Sequence, residues 1–173
     1  HGAERTEHSF AVDLGTLESE GNWGYFHEFG HNAQRAEWTF AGTTEVTCNL
    51  FSLYLGEQMA GVDPWKNPWL ENQKKKPQEY FDSGLALMMY ATIQRDFGWE
   101  PFQAAFDAYV AADSASKPRS DDAKRDTWLI RMSTALERDL GPYFQHWGVP
   151  TSEQARAKVS HFEPWMPKEY ANP

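Results

Sequence analysis

Cysteine is nearly absent from this chain. Cys48 stands alone among 173 residues, which excludes a disulfide within the chain but leaves the redox compartment open. Positive charge is also short: 16 Lys and Arg face 25 Asp and Glu, a net charge of −9. A surface that grips phosphates needs an excess of Lys and Arg, so no nucleic-acid partner is expected. No run approaches the ~18 consecutive apolar residues of a membrane helix, so no membrane span is expected. No signal-like segment opens the chain, which starts at His1, and no internal repeat is evident. These features suit a piece of a longer protein. What is present is core material. Hydrophobic residues make up 40% and aromatics 15%, enough for a single domain over 1–173.

One stretch organises the rest. Gly24-Tyr-Phe-His27-Glu28-Phe-Gly-His31-Asn contains an HExxH motif. Residues four apart share a helix face, so His27 and His31 can aim two imidazoles at one point. Such a point suits Zn²⁺. Glu28, one step round the helix, can reach a water there without being a ligand itself. Asn22 is a suitable N-cap for this helix. Trp23, Phe26 and Gly30 offer a packing face, and Gly30 would let a neighbouring element approach closely. Asn32 and Gln34 can serve either as hydrogen-bond partners of the site or as solvated residues.

A catalytic zinc takes three protein ligands and keeps one position open. Glu37, Glu45 and Glu57 are the carboxylates that follow. Spacing favours Glu45, which lies 14 positions after His31 and opens a second helix, with Thr43 or Thr44 as its cap. Glu37 falls in the turn, and Glu57 lies more than three turns further on. Asn49 shares the face of Glu45 and can either orient a ligand or simply pack. Cys48 could bind zinc as a thiolate; a small buried residue in the stripe of Leu50, Phe51 and Leu55 is the simpler reading.

The run from Trp23 to Asn32, followed by Thr39-Phe-Ala-Gly-Thr-Thr-Glu45-Val-Thr-Cys-Asn49-Leu-Phe-Ser-Leu-Tyr54, closely resembles the enhancin and mucin-degrading metallopeptidases. This is the sixtieth metallopeptidase family, in the gluzincin branch. The frame W-G-x-x-H-E-x-G-H-N with G-x-x-E-V-x-x-N is far more specific than HExxH alone. The likeness continues more loosely through Phe97–Phe102 and Gly141–Pro150. It implies one Zn²⁺ per chain held by His27, His31 and Glu45, with Glu28 as general base, and an asparagine at the place of Asn49. It also implies that this is the C-terminal part of a catalytic domain, normally preceded by a β-rich portion that holds substrate. The implied substrates are O-glycosylated, mucin-like proteins. The implied setting is secreted or cell-surface, with carbohydrate-binding regions elsewhere in the full protein.

Beyond the zinc helices, Phe10–Leu14 reads as a short strand and His8 as a solvated side chain. The Pro-rich stretch 61–77 reads as a loop in which Trp65 and Trp69 act as anchors or stack on sugars, and Lys74–Lys76 as a solvated face. Helices follow over 78–97 and from Pro101 to about Ala112. Asp121 caps the next, bearing Trp128, Met132 and Leu136, and shorter helices cover 142–147 and 151–159. The last residues, 163–173, read as an extended tail. The fold class is therefore mainly α: a gluzincin-type subdomain, a helical bundle around an HExxH helix with little β structure. An oxyanion in peptide hydrolysis needs a further donor. Tyr80, Tyr90, Tyr143, His146, His161 and Arg131 are chemically able, and Tyr80 and His161 are the candidates carried forward. Two other classes stay open: an inactive zinc-binding adhesion or glycan-binding module, indicated by a closed four-ligand site, and a metal-free helical scaffold.

Overall fold

Asn22 starts the first helix as expected. It has extended backbone, and its Oδ1 accepts the Tyr25 amide at 3.1 Å, which satisfies one of the free amides of the first turn. The computed structural model describes residues 22–67, 70–71 and 83–170. Among these residues the elements are α1 (Trp23–Ala33), α2 (Thr44–Ala60), a 3-10 turn (Pro64–Lys66), α3 (Ser83–Phe97), α4 (Glu100–Ala111), α5 (Asp121–Leu136), β1 (Arg138–Asp139), α6 (Gly141–His146), α7 (Glu153–Val159) and β2 (Glu163–Pro164). The strand expected at Phe10–Leu14, and His8, Trp69, Lys74–Lys76 and Tyr80, lie outside the described residues. The described residues are mainly helical, with one two-residue parallel pairing of β1 and β2 among them.

Helix α2 is the central beam. Val46, Thr47, Cys48, Asn49 and Leu50 are buried in succession, so more than one face is covered. α1 packs on one side and α3 on another. The approach of α1 is set by Gly30: a Cβ there would lie 2.2 Å from the carbonyl oxygen of Cys48. Only glycine lets the two backbones meet this closely. Gly61, at φ 65°, ends α2 in the left-handed conformation and donates its amide to the Glu57 carbonyl at 3.0 Å.

The second half forms an aromatic core. Tyr90, Phe102, Tyr109, Trp128, Tyr143 and Phe144 are fully buried. Trp65 is half-buried against this core, and Arg95 lies over its ring at 4.7 Å, which fits a loop anchor. Two local expectations are corrected. The cap of α5 is Ser120, whose hydroxyl accepts the Ala123 amide at 3.2 Å; the Asp121 carboxylate instead accepts the Ala41 amide at 3.1 Å. The C-terminal stretch is extended only in part. β2 pairs with β1, Trp165 and Tyr170 pack on the core, and Glu169 bridges Arg95 at 2.6 Å. Distant partners hold it, which no local pattern shows.

A candidate metal centre between two helices

His27 and His31 project from α1 on one face, and Glu45 stands in the first turn of α2 opposite them. The loop between the helices folds tightly enough to bring the three together. Thr43 Oγ1 accepts the Phe40 amide at 3.0 Å and donates to the Phe40 carbonyl at 2.7 Å, closing the turn that aims α2. Thr43 thus precedes the helix as expected, but its hydroxyl serves the turn and not the helix amides.

The Nε2 atoms of His27 and His31 are 3.1 Å apart. Glu45 Oε2 lies 3.2 Å from the first and 3.6 Å from the second. Tetrahedral zinc with ligand bonds of about 2.0–2.1 Å sets neighbouring donors about 3.3 Å apart. The three separations bracket that value. Their hydrogen bonding fits too. His27 Nδ1 faces Asn49 Oδ1 at 2.8 Å, and His31 Nδ1 faces Gln34 Oε1 at 2.9 Å. Asn49 donates its own amide to the Glu45 carbonyl at 2.6 Å, which leaves Oδ1 to accept from His27. Each Nδ1 therefore has an amide oxygen to donate to, and both Nε2 atoms face the Glu45 carboxylate. With the protons on Nδ1, two Nε2 lone pairs and a carboxylate oxygen would converge on one point. The donor set fits a divalent metal.

The site is open. The Glu45 side chain is 53% exposed, His27 23% and His31 30%. Glu28 is exposed on the same helix beside His27. The point where the donors meet is therefore accessible to water. Cys48 is the fourth potential donor, within 4.8 Å of the others. Its Sγ lies 3.6 Å from Nδ1 of His27 and points its S–H toward Glu45 Oε2 at 3.9 Å. Burial, and then the Glu45 carboxylate, push its thiol up to about 12. It is a buried free cysteine, matching the simpler sequence reading.

Other carboxylates go elsewhere. Glu37 bridges Lys117 at 2.8 Å, and this hydrogen bond holds its carboxyl below the usual range. Glu57 accepts from Trp99 Nε1. Among the described residues, the oxyanion candidates do not gather at the site; Tyr80 lies outside them. Tyr90 is buried against Phe102 and Trp128, and Tyr143 donates to the Met89 carbonyl at 2.9 Å. His146 stacks on Tyr170, and Arg131 lies over the Tyr109 ring at 3.7 Å. His161 is exposed in the turn after α7, against Phe162, and is not part of the donor cluster. Tyr90, Tyr143, His146 and Arg131 are each occupied by packing. The signal given too little weight was Gln34, which sits three residues after His31 and so within reach of its ring.

The sequence matches the family model described as peptidase M60, enhancin and enhancin-like, over residues 5–148. The chain belongs to this family. This M60 chain is 34% identical over 168 residues to the TRPM8 channel-associated factor homolog of Xenopus laevis, covering 89% of the chain and 18% of that relative. It is 32% identical over 169 residues to TRPM8 channel-associated factor 2 of Mus musculus, again covering 89% of the chain and 18% of the relative. The chain thus spans under a fifth of the length of these relatives. Its fold matches a crystal structure of a functionally unknown conserved protein from Bacillus anthracis str. Ames, with a TM-score of 0.73 at 20% identity, over 91% of this chain and 34% of that one. A mutant of that protein matches with a TM-score of 0.74 at 21% identity. These two likenesses concern the fold.

Proposed function

We propose that this M60 chain carries the metal-binding half of a zinc-dependent endopeptidase centre. The observation that carries the reading is the convergence of two Nε2 atoms and one carboxylate oxygen, with both Nδ1 atoms facing amide oxygens. His27, His31 and Glu45 would hold one Zn²⁺. When bound, zinc supplies Lewis acidity toward a water and a substrate carbonyl. The Glu28 carboxylate then accepts a proton from the attacking water and returns it to the leaving amine nitrogen. Asn49 holds the His27 ring so that Nε2 stays free to coordinate. The exposed position of Glu28 and Glu45 supports access by an extended polypeptide.

The family supports a protein substrate. We extend this to O-glycosylated, mucin-like chains, to a secreted or cell-surface setting, and to a longer protein whose β-rich and carbohydrate-binding regions complete substrate recognition. Residues 1–173 would then act as one catalytic subdomain. The test is Glu28→Gln assayed on an O-glycosylated mucin with zinc measured in parallel. Zinc content should stay at the wild-type level while the cleavage rate falls by about 10²–10⁴. Cleavage at the wild-type rate by the zinc-loaded variant removes Glu28 as the base.

A second reading has an observation of its own. Cys48 lies within the donor cluster, and a closed His, His, Glu and Cys site would make the metal structural. The chain would then be a binding module for adhesion or glycan capture. The relatives named for association with a channel lean the same way. The half-exposed Glu45 carboxylate, set against a fully buried Cys48, favours the open site.

A further inference from the structure

The Gln34 side chain has only one way round. Its Nε2 donates to the backbone carbonyl of Thr44 and to the hydroxyl of Thr47. The Thr44 carbonyl accepts only, so the amide nitrogen must face it. The Thr47 hydroxyl is itself committed as a donor, to the Thr43 carbonyl at 3.1 Å, and so accepts from Gln34. That leaves Gln34 Oε1 facing His31 Nδ1 at 2.9 Å, where it can only accept. The chain of donors thus runs from His31 through Gln34 into the backbone at the start of α2. The backbone of Gln34 is fixed as well: its amide ends α1 by donating to the Gly30 and His31 carbonyls at 3.1 and 3.3 Å.

Asn49 does the matching task for His27, hanging on the carbonyl of Glu45. The two amides are therefore anchored on consecutive carbonyls, Thr44 and Glu45, at the peptide that bears the third donor. They differ in one respect. Asn49 belongs to the helix that carries Glu45, whereas Gln34 belongs to α1 and crosses to α2.

We propose that Gln34 is a positioning residue that locks His31 in its Nδ1–H tautomer before any metal arrives and ties that lock to the register of α1 on α2. The inference rests on the metal-centre reading above for its use, but not for its test. Selective ¹⁵N labelling of histidine in the zinc-free 173-residue chain reads the tautomer directly by two-bond nitrogen–proton spectra, at a pH where the rings are neutral. Wild type should show His31 as Nδ1–H. Gln34→Leu should shift it to the Nε2–H form that a free histidine side chain favours in water. Zinc affinity, measured by competition with a chelating dye, should fall about 10–100-fold in that variant. Gln34→Glu keeps an acceptor for Nδ1 and loses the donor to Thr44. It should hold the tautomer and most of the zinc affinity while lowering the melting temperature.

An Nδ1–H ring in folded Gln34→Leu overturns the proposal, as does equal loss of zinc affinity in Gln34→Leu and Gln34→Glu. If Gln34→Leu fails to fold, Gln34→Glu decides alone, and an Nε2–H ring in it overturns the proposal. If wild type takes up no zinc, the metal-centre reading fails and the tautomer still decides the role of Gln34.

Discussion

The pairing of α1 with α2 and the aromatic bundle of α3, α4 and α5 are built on different terms. In the bundle, large side chains are fully buried and hydrogen bonds are secondary. Trp128 is 2% exposed and packs on Tyr90, Phe106 and Tyr109, yet its Nε1 has no hydrogen-bond partner among the described residues. The same holds for Trp38 Nε1, Tyr109 OH and Arg131 Nη1. Apolar burial is large enough there to carry an unpaired donor. At the helix pair the balance reverses. The donor residues are partly exposed, and the amides of Asn49 and Gln34 are hydrogen-bonded at both the oxygen and the nitrogen. Stability resides in the bundle, orientation in the pair, and α2 belongs to both.

The largest expected effect separates them. Trp128→Ala removes a fully packed ring from the bundle and should destabilise the chain by about 3–5 kcal/mol in denaturant unfolding. Zinc affinity of the molecules that remain folded should not change, because none of the donors touches Trp128. Weakened zinc binding in the folded fraction would mean that the two regions are not separate.

Gly30→Ala should blur the comparison instead. Its Cβ would lie 2.2 Å from the Cys48 carbonyl oxygen, a backbone atom that cannot step aside alone. The helices must part, at a cost of about 1–3 kcal/mol. Because His27 and His31 ride on α1 and Glu45 on α2, zinc affinity should fall with stability. A destabilised variant with wild-type zinc affinity would show that the donors tolerate a wider helix spacing than this account allows.

Cys48→Ala should do least. It removes a small buried sulfur at about 1 kcal/mol and leaves the three donors in place. Zinc content should match wild type. Loss of zinc would establish the closed four-ligand site and the non-catalytic reading with it.

The helix pair was legible in the sequence because its rules are local. The four-residue step of HExxH equals the helical repeat, Asn22 caps its own helix, and Glu45 opens the next after a turn of ordinary length. Gly30 between the two histidines likewise marked a close approach. Gln34 was undecided, because its meaning depends on Thr44 and Thr47, which reach it only once α2 has docked. The cap of α5 was misplaced by one residue for the same reason: Asp121 is drawn to Ala41, 80 positions away. Tyr143, His146 and His161 offered the right chemistry for an oxyanion, but chemistry alone does not place a side chain. Tyr143 and His146 are held by packing partners on other elements, and His161 sits in the turn after α7.

The most direct test of the metal centre is elemental analysis of zinc in wild type and in Glu45→Ala after dialysis against a weak chelator. About one zinc per chain is expected in wild type, on the stoichiometry of a single three-donor site, with its loss or marked weakening in the variant. No zinc in wild type, or undiminished zinc in Glu45→Ala, would contradict that centre.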